Sequence, residues 1–381
     1  MAESGRLRVL LLFGGRSAEH DVSRVSAVAV ARALDPARYE VVPVAITKDG
    51  RWLLAGEARQ QLAGAHEELP SGFRIEGAPV AELPEPGRRE LVPIDADGAA
   101  PGVATPFDVV LPLLHGPYGE DGTVQGLFEL AGVPYVGAGV VGSAVAMDKV
   151  MMKRAFASAG LEQAASLAFR DGHDVDVLVA DVERELGYPC FVKPANLGSS
   201  VGVSKARDRD ELQAAVEVAL SFDEWIVLEE AIIGREIEVG ILGDDPPRAS
   251  EPGEIVPGAD FYTYADKYES DSAELLIPAP LSPAQVDAVR ALAVRAFEAC
   301  RCEAMARVDF FLEEQRADGR PGRGFVVNEV NTIPGFTPIS MYPRLWGESG
   351  VTYPALLDRL IELALERQDR RARRAGRQRD Q

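Results

Sequence analysis

The sequence predicts a mixed α/β protein, α/β at its start and α+β beyond, and three observations carry that reading. Leu7 to Phe13 is a continuous apolar run closed by Gly14-Gly15, then comes a helical pattern, then a second apolar run from Tyr39 to Thr47. Strand, glycine turn, helix, strand is the opening of a βαβ unit built on a buried parallel sheet. Much later, strand patterns at Arg307–Leu312 and Phe325–Val330 flank a polar turn centred near Asp318-Gly319, the signature of an antiparallel pair. At 381 residues the chain exceeds what one core holds, so two or three domains are expected.

Each further element follows from local pattern. From about Asp21 to Leu34, Val22, Val25 and Val28 or Ala29 recur at helical spacing, with Arg32 on the far side. The stretch from about Gly56 to Thr105 is rich in Gly, Pro, Ala and Glu with little periodicity, and reads as a surface insert within the first domain. Phe107 to Leu114 is another strand, ending at His115, and Gly132 to Gly137 closes the unit. Asp148 is placed as the N-cap of a helix whose Met152, Phe156 and Ala159 share a face, with Gly160 as its stop. Strands are expected at Tyr188–Pro194, Ile226–Ala231 and Glu236–Leu242. Ser282-Pro283 opens a helix with Val286, Val289, Ala293 and Phe297 in register.

Composition excludes several classes. Hydrophobic residues at 46% and charged ones at 26% are the mixture of an ordinary soluble globular protein. No stretch approaches the about 20 uncharged apolar residues of a membrane span, so no membrane partner is expected. Met1 to Arg8 lacks the apolar stretch and cleavage site of a secretory signal, which points to the cytoplasm. Cys190, Cys300 and Cys302 make no disulfide framework, and Cys300-x-Cys302 is wrongly spaced for zinc, so all three are expected to pack as small apolar residues. A net charge of −20 argues against nucleic acid as a partner. The one basic patch, Arg367 to Gln381 with seven Arg and two Asp, reads as a frayed, solvated terminus.

Four segments carry chemistry. In the late strand pair, residues two apart share a face, so Arg307 sides with Asp309, and Glu329 with Asn331. A turn near residue 319 sets Asp309 opposite Glu329, which yields three oxygen ligands of the kind magnesium takes. A solvent-exposed polar face is the alternative. Second, Lys193 ends an apolar strand and precedes Asn196-Leu197-Gly198-Ser199-Ser200-Val201-Gly202, a point charge and a run of backbone N–H groups suited to phosphate. It is not a P-loop, and a plain surface turn is the alternative. Third, Glu229-Glu230 ends the strand after Trp225–Leu228 with Glu236 further on, carboxylates able to accept from an exocyclic amine or a ribose hydroxyl. Fourth, Gly14-Gly15-Arg16-Ser17-Ala18-Glu19-His20 lacks the dinucleotide Gly-x-Gly-x-x-Gly, and its Glu19 suits an ammonium instead.

Taken in order, these segments resemble the D-alanine–D-alanine ligases of the ATP-grasp superfamily, from about Leu7 to about Leu365. The resemblance also runs through Leu114-His115-Gly116, Gly119-Glu120-Asp121-Gly122-Thr123-Val124-Gln125-Gly126, Met147-Asp148-Lys149, Phe261-Tyr262 with Lys267-Tyr268, Arg307-Val308-Asp309, and Asn328 to Thr337. It implies an ATP-grasp fold: an N-terminal Rossmann-like parallel-sheet domain at 1–138 and two α+β subdomains at 139–238 and 239–366 clamping ATP. A mobile loop is implied at about 262–275, and the tail at 367–381 falls outside the fold. The implied reaction joins two D-alanines through a D-alanyl phosphate, releasing ADP and phosphate, for peptidoglycan synthesis.

The same resemblance distributes roles. Lys149 and Lys193, with Ser199, Ser200 and Lys267, would hold ATP phosphates. Glu229 would accept from the adenine amine, Glu236 from the ribose, and Ala231 and Ile232 would line the adenine slot through their backbone. Asp309, Glu329 and Asn331 would hold two magnesium ions, replaceable by manganese, with a monovalent cation such as potassium nearby. Glu19 would bind the ammonium of the first D-alanine and His115 would lie near its carboxylate. Gly335, Ser340 and Met341 would receive the second, Arg307 would stabilise the oxyanion, and Ser199 and Tyr268 would link to Glu19 under a closed lid. A homodimer is also implied. Ala231 stands where some members carry an aromatic residue, and Met341 where a Leu can occur. The rival readings are a D-lactate or D-serine ligase of the same fold, a carboxylase-like ATP-grasp enzyme and a non-catalytic ATP-binding protein. Lys267-Tyr268 favours the dipeptide over lactate, whose users tend to carry a His in that loop.

Overall fold

The structure, a computed structural model, describes residues 5–63, 72–82, 85–94, 103–256, 274–316 and 318–374. Strand β1 (Leu7–Gly14) leads through helix α1 (His20–Ala33) to β2 (Tyr39–Ile46), which pairs with it in parallel. At the turn Gly14 has φ +90°, and a Cβ there would lie 2.3 Å from the Ile46 carbonyl oxygen, so only glycine fits. β3 (Trp52–Leu54), α2 (Gly56–Ala63), β4 (Ala78–Glu82), β5 (Glu90–Pro93) and β6 (Thr105–Pro106) follow, then β7 (Val109–Leu113) and α3 (Thr123–Ala131). The seven strands form one sheet in the order β6-β5-β4-β3-β2-β1-β7.

The stretch expected to be a surface insert therefore extends this sheet, in antiparallel steps beyond β2. Phe73, Val80 and Leu91 from it are buried. Strands of two to five residues show too few alternations to register as periodic. Pro79, Pro93 and Pro106 further mask the signal, and are tolerated toward the end of a sheet where ladder bonds are few.

The next elements are α4 (Val140–Met147), α5 (Lys149–Ser158), β8 (Ser166–Arg170), α6 (Val175–Glu185), β9 (Cys190–Pro194), β10 (Ser204–Ala206), α7 (Arg209–Leu220) and β11 (Trp225–Glu230). These strands make an antiparallel sheet, β10-β9-β11-β8, covered by α6 and α7 through Val179, Val182, Val192, Leu212, Ile226 and Leu228. Asp148 caps α5 by accepting from the Met151 N–H at 2.9 Å, as its sequence position requires.

The last body contains β12 (Arg235–Leu242), β13 (Arg248–Ala249), β14 (Gly253–Val256), β15 (Glu274–Leu276), α8 (Pro283–Ala299), β16 (Met305–Gln315), β17 (Pro321–Asn331), α9 (Met341–Glu348) and α10 (Tyr353–Ala372). Its sheet runs β15-β14-β12-β16-β17, with β13 paired to β12. Met152 and Phe156 of α5 and Val289 and Phe297 of α8 bury Ile237, Val239 and Val308 of this sheet.

Helix α10 returns to the first sheet. Val9, Leu11 and Phe13 share a core with α1 and with Leu356, Leu360 and Ile361, whereas Leu10 and Leu12 face α3. That alternation is the two-residue period of a strand buried on both faces. The solvated tail expected from Arg367 onward starts later. Arg367 lies on α10 at 4% exposure, donates to the Tyr135 and Gly137 carbonyls at 2.6 and 2.7 Å, and stacks 4.3 Å over the Tyr135 ring. Its charge suggested solvent, but a guanidinium with carbonyl acceptors and an aromatic face can be buried. Residues 375–381 lie outside the described residues. All three cysteines are buried and free, and burial pushes the Cys300 thiol up to about 12. Among the described residues no helix is long and apolar enough to cross a membrane.

Candidate active site

A cavity of about 240 Å³ opens between the β9–β11 sheet and the β12–β16–β17 sheet. On the first wall, strand alternation turns Val192 into the α6–α7 core and leaves Lys193 at the cavity. Glu229, two residues beyond Lys193's pairing partner Val227, reaches back to it, with Nζ 2.7 Å from one carboxylate oxygen. The other oxygen lies 2.9 Å from the ammonium of Lys153, which α5 presents one turn after Lys149. Burial pushes the Glu229 carboxyl up, but Lys193 and Lys153 outweigh it and hold the carboxyl down at about 2. Burial pulls Lys193 down, and Glu229, Glu329 and Glu236 more than reverse that. Lys149 is lowered by burial, only partly offset by Glu329, and donates to the Leu197 carbonyl.

The second wall is the late strand pair. Asp309 pairs with Glu329 and Arg307 with Asn331, so all four lie together on the ladder. The Arg307 fork grips both oxygens of Asp309 at 2.8 and 2.7 Å and reaches Glu238 at 3.0 Å. Burial lowers the Arg307 pKa, but Asp309 and Glu238 drive it well above its ordinary value. The Asn331 amide donates to Asp309 at 2.9 Å and to Glu329 at 3.5 Å. Among the described residues no group of three His, Cys, Asp or Glu gathers as a metal site. Two carboxylates and an amide instead make a sparse, hard oxygen set beside two phosphate-ready ammonium groups. Such a set fits magnesium, which keeps waters and takes phosphate oxygens for the rest.

Between the walls the 196–202 loop is tied down by Asn196, whose N–H and amide both donate to Asp223, at 2.8 and 3.0 Å. Ser199 and Ser200 sit at φ +50° and +58°, sparsely populated for residues with a Cβ. From there Ser199 donates to Glu19, the residue that opens α1. Glu19 is 9% exposed and lies between Gly116 and Gly198, where a Cβ would stand 3.6 and 3.5 Å from its oxygen. His115 is buried nearby with Nδ1 2.9 Å from the Ile333 carbonyl and Nε2 without a partner.

Glu120 joins this cluster. It is buried, one of its oxygens has no partner, and burial with the Glu19 charge raises its carboxyl well above 4.5. A raised folded pKa means the native state holds the proton, so its stability is complete below pH 4.5 and is lost as pH climbs toward the folded value. Glu120→Gln is expected to leave the melting temperature unchanged at pH 5 and to flatten its fall above that. The wild-type deficit would grow by at most about 1.4 kcal/mol per pH unit. Parallel melting curves for both proteins from pH 5 to 9 would refute this.

The remaining expected residues divide. Ile232 and Glu236 line the cavity, while the Ala231 N–H donates to the Pro189 carbonyl at 3.3 Å. Ser340 opens α9 and abuts Gly335, where a Cβ would meet its oxygen at 3.0 Å, but its hydroxyl is engaged with Thr337 at 2.7 Å. Met341 is not brought to the cavity: it packs with Ile255 and Leu345 in the core below. The amphipathic pattern of α9 demands an inward residue there. Lys267 and Tyr268 lie outside the described residues.

Sequence reasoning missed Lys153, Glu238, Glu120 and Arg323. Alternation from Glu236 along β12 could have found Glu238, which faces Asp309 across the ladder. Arg323 joins Glu230 at 2.6 Å to Glu313 at 2.7 Å, stapling the two sheets beside the adenine-side segment. No local signal marks it.

Known proteins resemble this chain over most of its length. Residues 8–138 match the protein-family model for the D-ala D-ala ligase N-terminus, and residues 155–362 the one for its C-terminus. A D-alanine--D-alanine ligase of Geobacillus kaustophilus is 50% identical over 365 residues, 95% of each chain. One of Streptomyces griseus is 49% identical, covering 94% of this chain and 93% of its own. Among solved structures, the D-alanine-D-alanine ligase of Coxiella burnetii superposes with a TM-score of 0.79 at 33% identity, covering 97% and 96% of the two chains. A D-Ala:D-Ser ligase of Enterococcus faecalis gives 0.80 at 32%, covering 94% and 99%.

Proposed function

The chain belongs to the D-alanine–D-alanine ligase family and joins two D-alanines at the expense of ATP for peptidoglycan synthesis; from that premise we propose how its own residues divide the work. The charge across the cavity carries the reading. Two partly buried ammonium groups, Lys149 and Lys193, share the cavity with Asp309 and Glu329 of the opposite wall, and Asn331 lies beside that pair on the ladder. ATP lies between them, phosphates toward the lysines and the 196–202 loop, adenine toward Ile232 and the Ala231 carbonyl, ribose toward Glu236. Asp309, Glu329 and Asn331 would hold magnesium, whose charge would offset that of the phosphates.

The first D-alanine binds with its ammonium on Glu19, and His115 Nε2 faces its carboxylate. That carboxylate attacks the γ-phosphorus, ADP leaves, and an acyl phosphate forms. Both partners of this step are anions, so Lys149 and Lys193 lower the barrier by meeting charge already in place. The amine of the second D-alanine then attacks the acyl carbon, loses a proton and expels phosphate, with Arg307 beside the developing oxyanion. Ser199, held on Glu19, ties the phosphate loop to the amino-acid pocket and keeps water from the acyl phosphate. The reaction takes place in the cytoplasm, where ATP is available and buried free thiols are at home.

The acceptor is where this reading is most exposed, since a D-Ala:D-Ser ligase shares the fold equally well. D-alanine is expected to outcompete equal concentrations of D-serine and D-lactate across pH 6 to 9. Its lead over D-lactate should widen as pH rises, because a growing share of its amine is unprotonated while the lactate hydroxyl does not change. Product mass measures this directly. Mostly depsipeptide, or mostly the serine dipeptide, at neutral pH would overturn the substrate assignment and leave the nucleotide site standing.

A further inference from the structure

We propose that Lys153 is a positioning residue of the nucleotide site, which shares Glu229 with Lys193 and thereby leaves the Lys193 ammonium free to meet phosphate. The inference rests on the assignment of Lys193 to ATP. Lys153 does not line the cavity; it stands behind Glu229 at 6% exposure, with Nζ 2.9 Å from one carboxylate oxygen. Lys193 takes the other at 2.7 Å. Were Glu229 balanced by Lys193 alone, the pair would be neutral, and phosphate would compete with a buried carboxylate for one ammonium. With Lys153 present the trio carries a surplus positive charge, and the exposed end of that surplus is Lys193.

The backbone holds Lys153 in place. Asp148 caps its helix, Met152 and Phe156 beside it are buried against the third sheet, and its own carbonyl accepts from Gln163 at 2.9 Å. A flexible surface lysine could not serve, because its ammonium would take its charge into water.

Calorimetric binding of ADP to the purified full-length protein tests this, in wild type, Lys153→Met, Lys153→Arg, Glu229→Gln and the Glu229→Gln/Lys153→Met pair. Lys153→Met is expected to weaken ADP binding about tenfold or more, the scale of a lost charged hydrogen bond, without moving the KM for D-alanine. Lys153→Arg should recover most of the loss. With Glu229 neutralised, the carboxylate that Lys153 and Lys193 share is gone, so adding Lys153→Met should change the affinity less than about twofold, a coupling only a double-mutant cycle reveals. Equal losses in both backgrounds, no loss at all, or an Arg variant as weak as Met would overturn the proposal. If Lys153→Met alone does not fold, the Arg variant and the double variant against Glu229→Gln decide it by the same criteria. Wild-type protein that binds no ADP would overturn the nucleotide site as a whole.

Discussion

Glu329→Gln is expected to cut dipeptide formation by about a thousandfold or more while the protein stays folded, the scale of removing a preorganised charge from a water-excluded site. Glu329 pairs with Asp309 through the backbone ladder, which a glutamine keeps. Its side chain lines the cavity and is no part of the apolar clusters, so the substitution opens no void. What changes is charge. The late strand pair falls from two carboxylates to one, and Asp309 is already gripped by the Arg307 fork. Lys149 and Lys193 also lose a carboxylate that favours their charged forms. Phosphate release with saturating D-alanine, circular dichroism and the magnesium-dependent share of ADP affinity together isolate the effect. Turnover within about tenfold of wild type would remove Glu329 from the catalytic set.

Arg307→Lys is expected to lower kcat by about a hundredfold or more, with the KM for ATP nearly unchanged. The guanidinium donates to both oxygens of Asp309 through Nε and a terminal nitrogen, and its Nε also lies 3.0 Å from Glu238, a fork that a single ammonium cannot reproduce. The positive charge remains in Arg307→Lys, so the two buried carboxylates stay compensated and the fold is retained. Arg307→Met would leave both uncompensated and is expected to cost about 3 to 5 kcal/mol of stability besides activity. Comparing the two variants separates charge balance from directed hydrogen bonding. A Lys variant that retains more than half the wild-type kcat would show that the fork has no part in the reaction.

How much of the fold and site is legible in the sequence depends on how local each signal is. The Asp309–Glu329 pairing follows from a hairpin turn and simple counting, and it survives the register shifts that occur after Asp309 and Glu313. The Asp148 cap and the helix start at Ser282-Pro283 are likewise properties of a few adjacent residues. The β3–β6 segment was not legible, because its strands are too short and proline-marked to display a period. Arg367 was misplaced because a charged residue's burial depends on acceptors from Tyr135 and Gly137, more than two hundred residues away in sequence.

The sequence by itself determined the opening βαβ unit, the late antiparallel pair and the identity of most charges around the cavity. Each of these follows from a period of two or 3.6 or from an ordered set of motifs. Only the tertiary structure decided which charges meet. Glu229 reaches Lys153 from another element, Ser199 reaches Glu19 across 180 residues, and His115 leans on the Ile333 carbonyl across 218. It also turned Met341 away from the cavity and into the core. The reason is physical. Periodicity reports which side of an element faces inward, but ion pairs inside a cavity form between elements whose approach is set by the packing of the whole apolar core. Arg307 and Asp309, two residues apart, could be read locally, but no short window of the chain contains both partners of those three contacts, so no local pattern can name them.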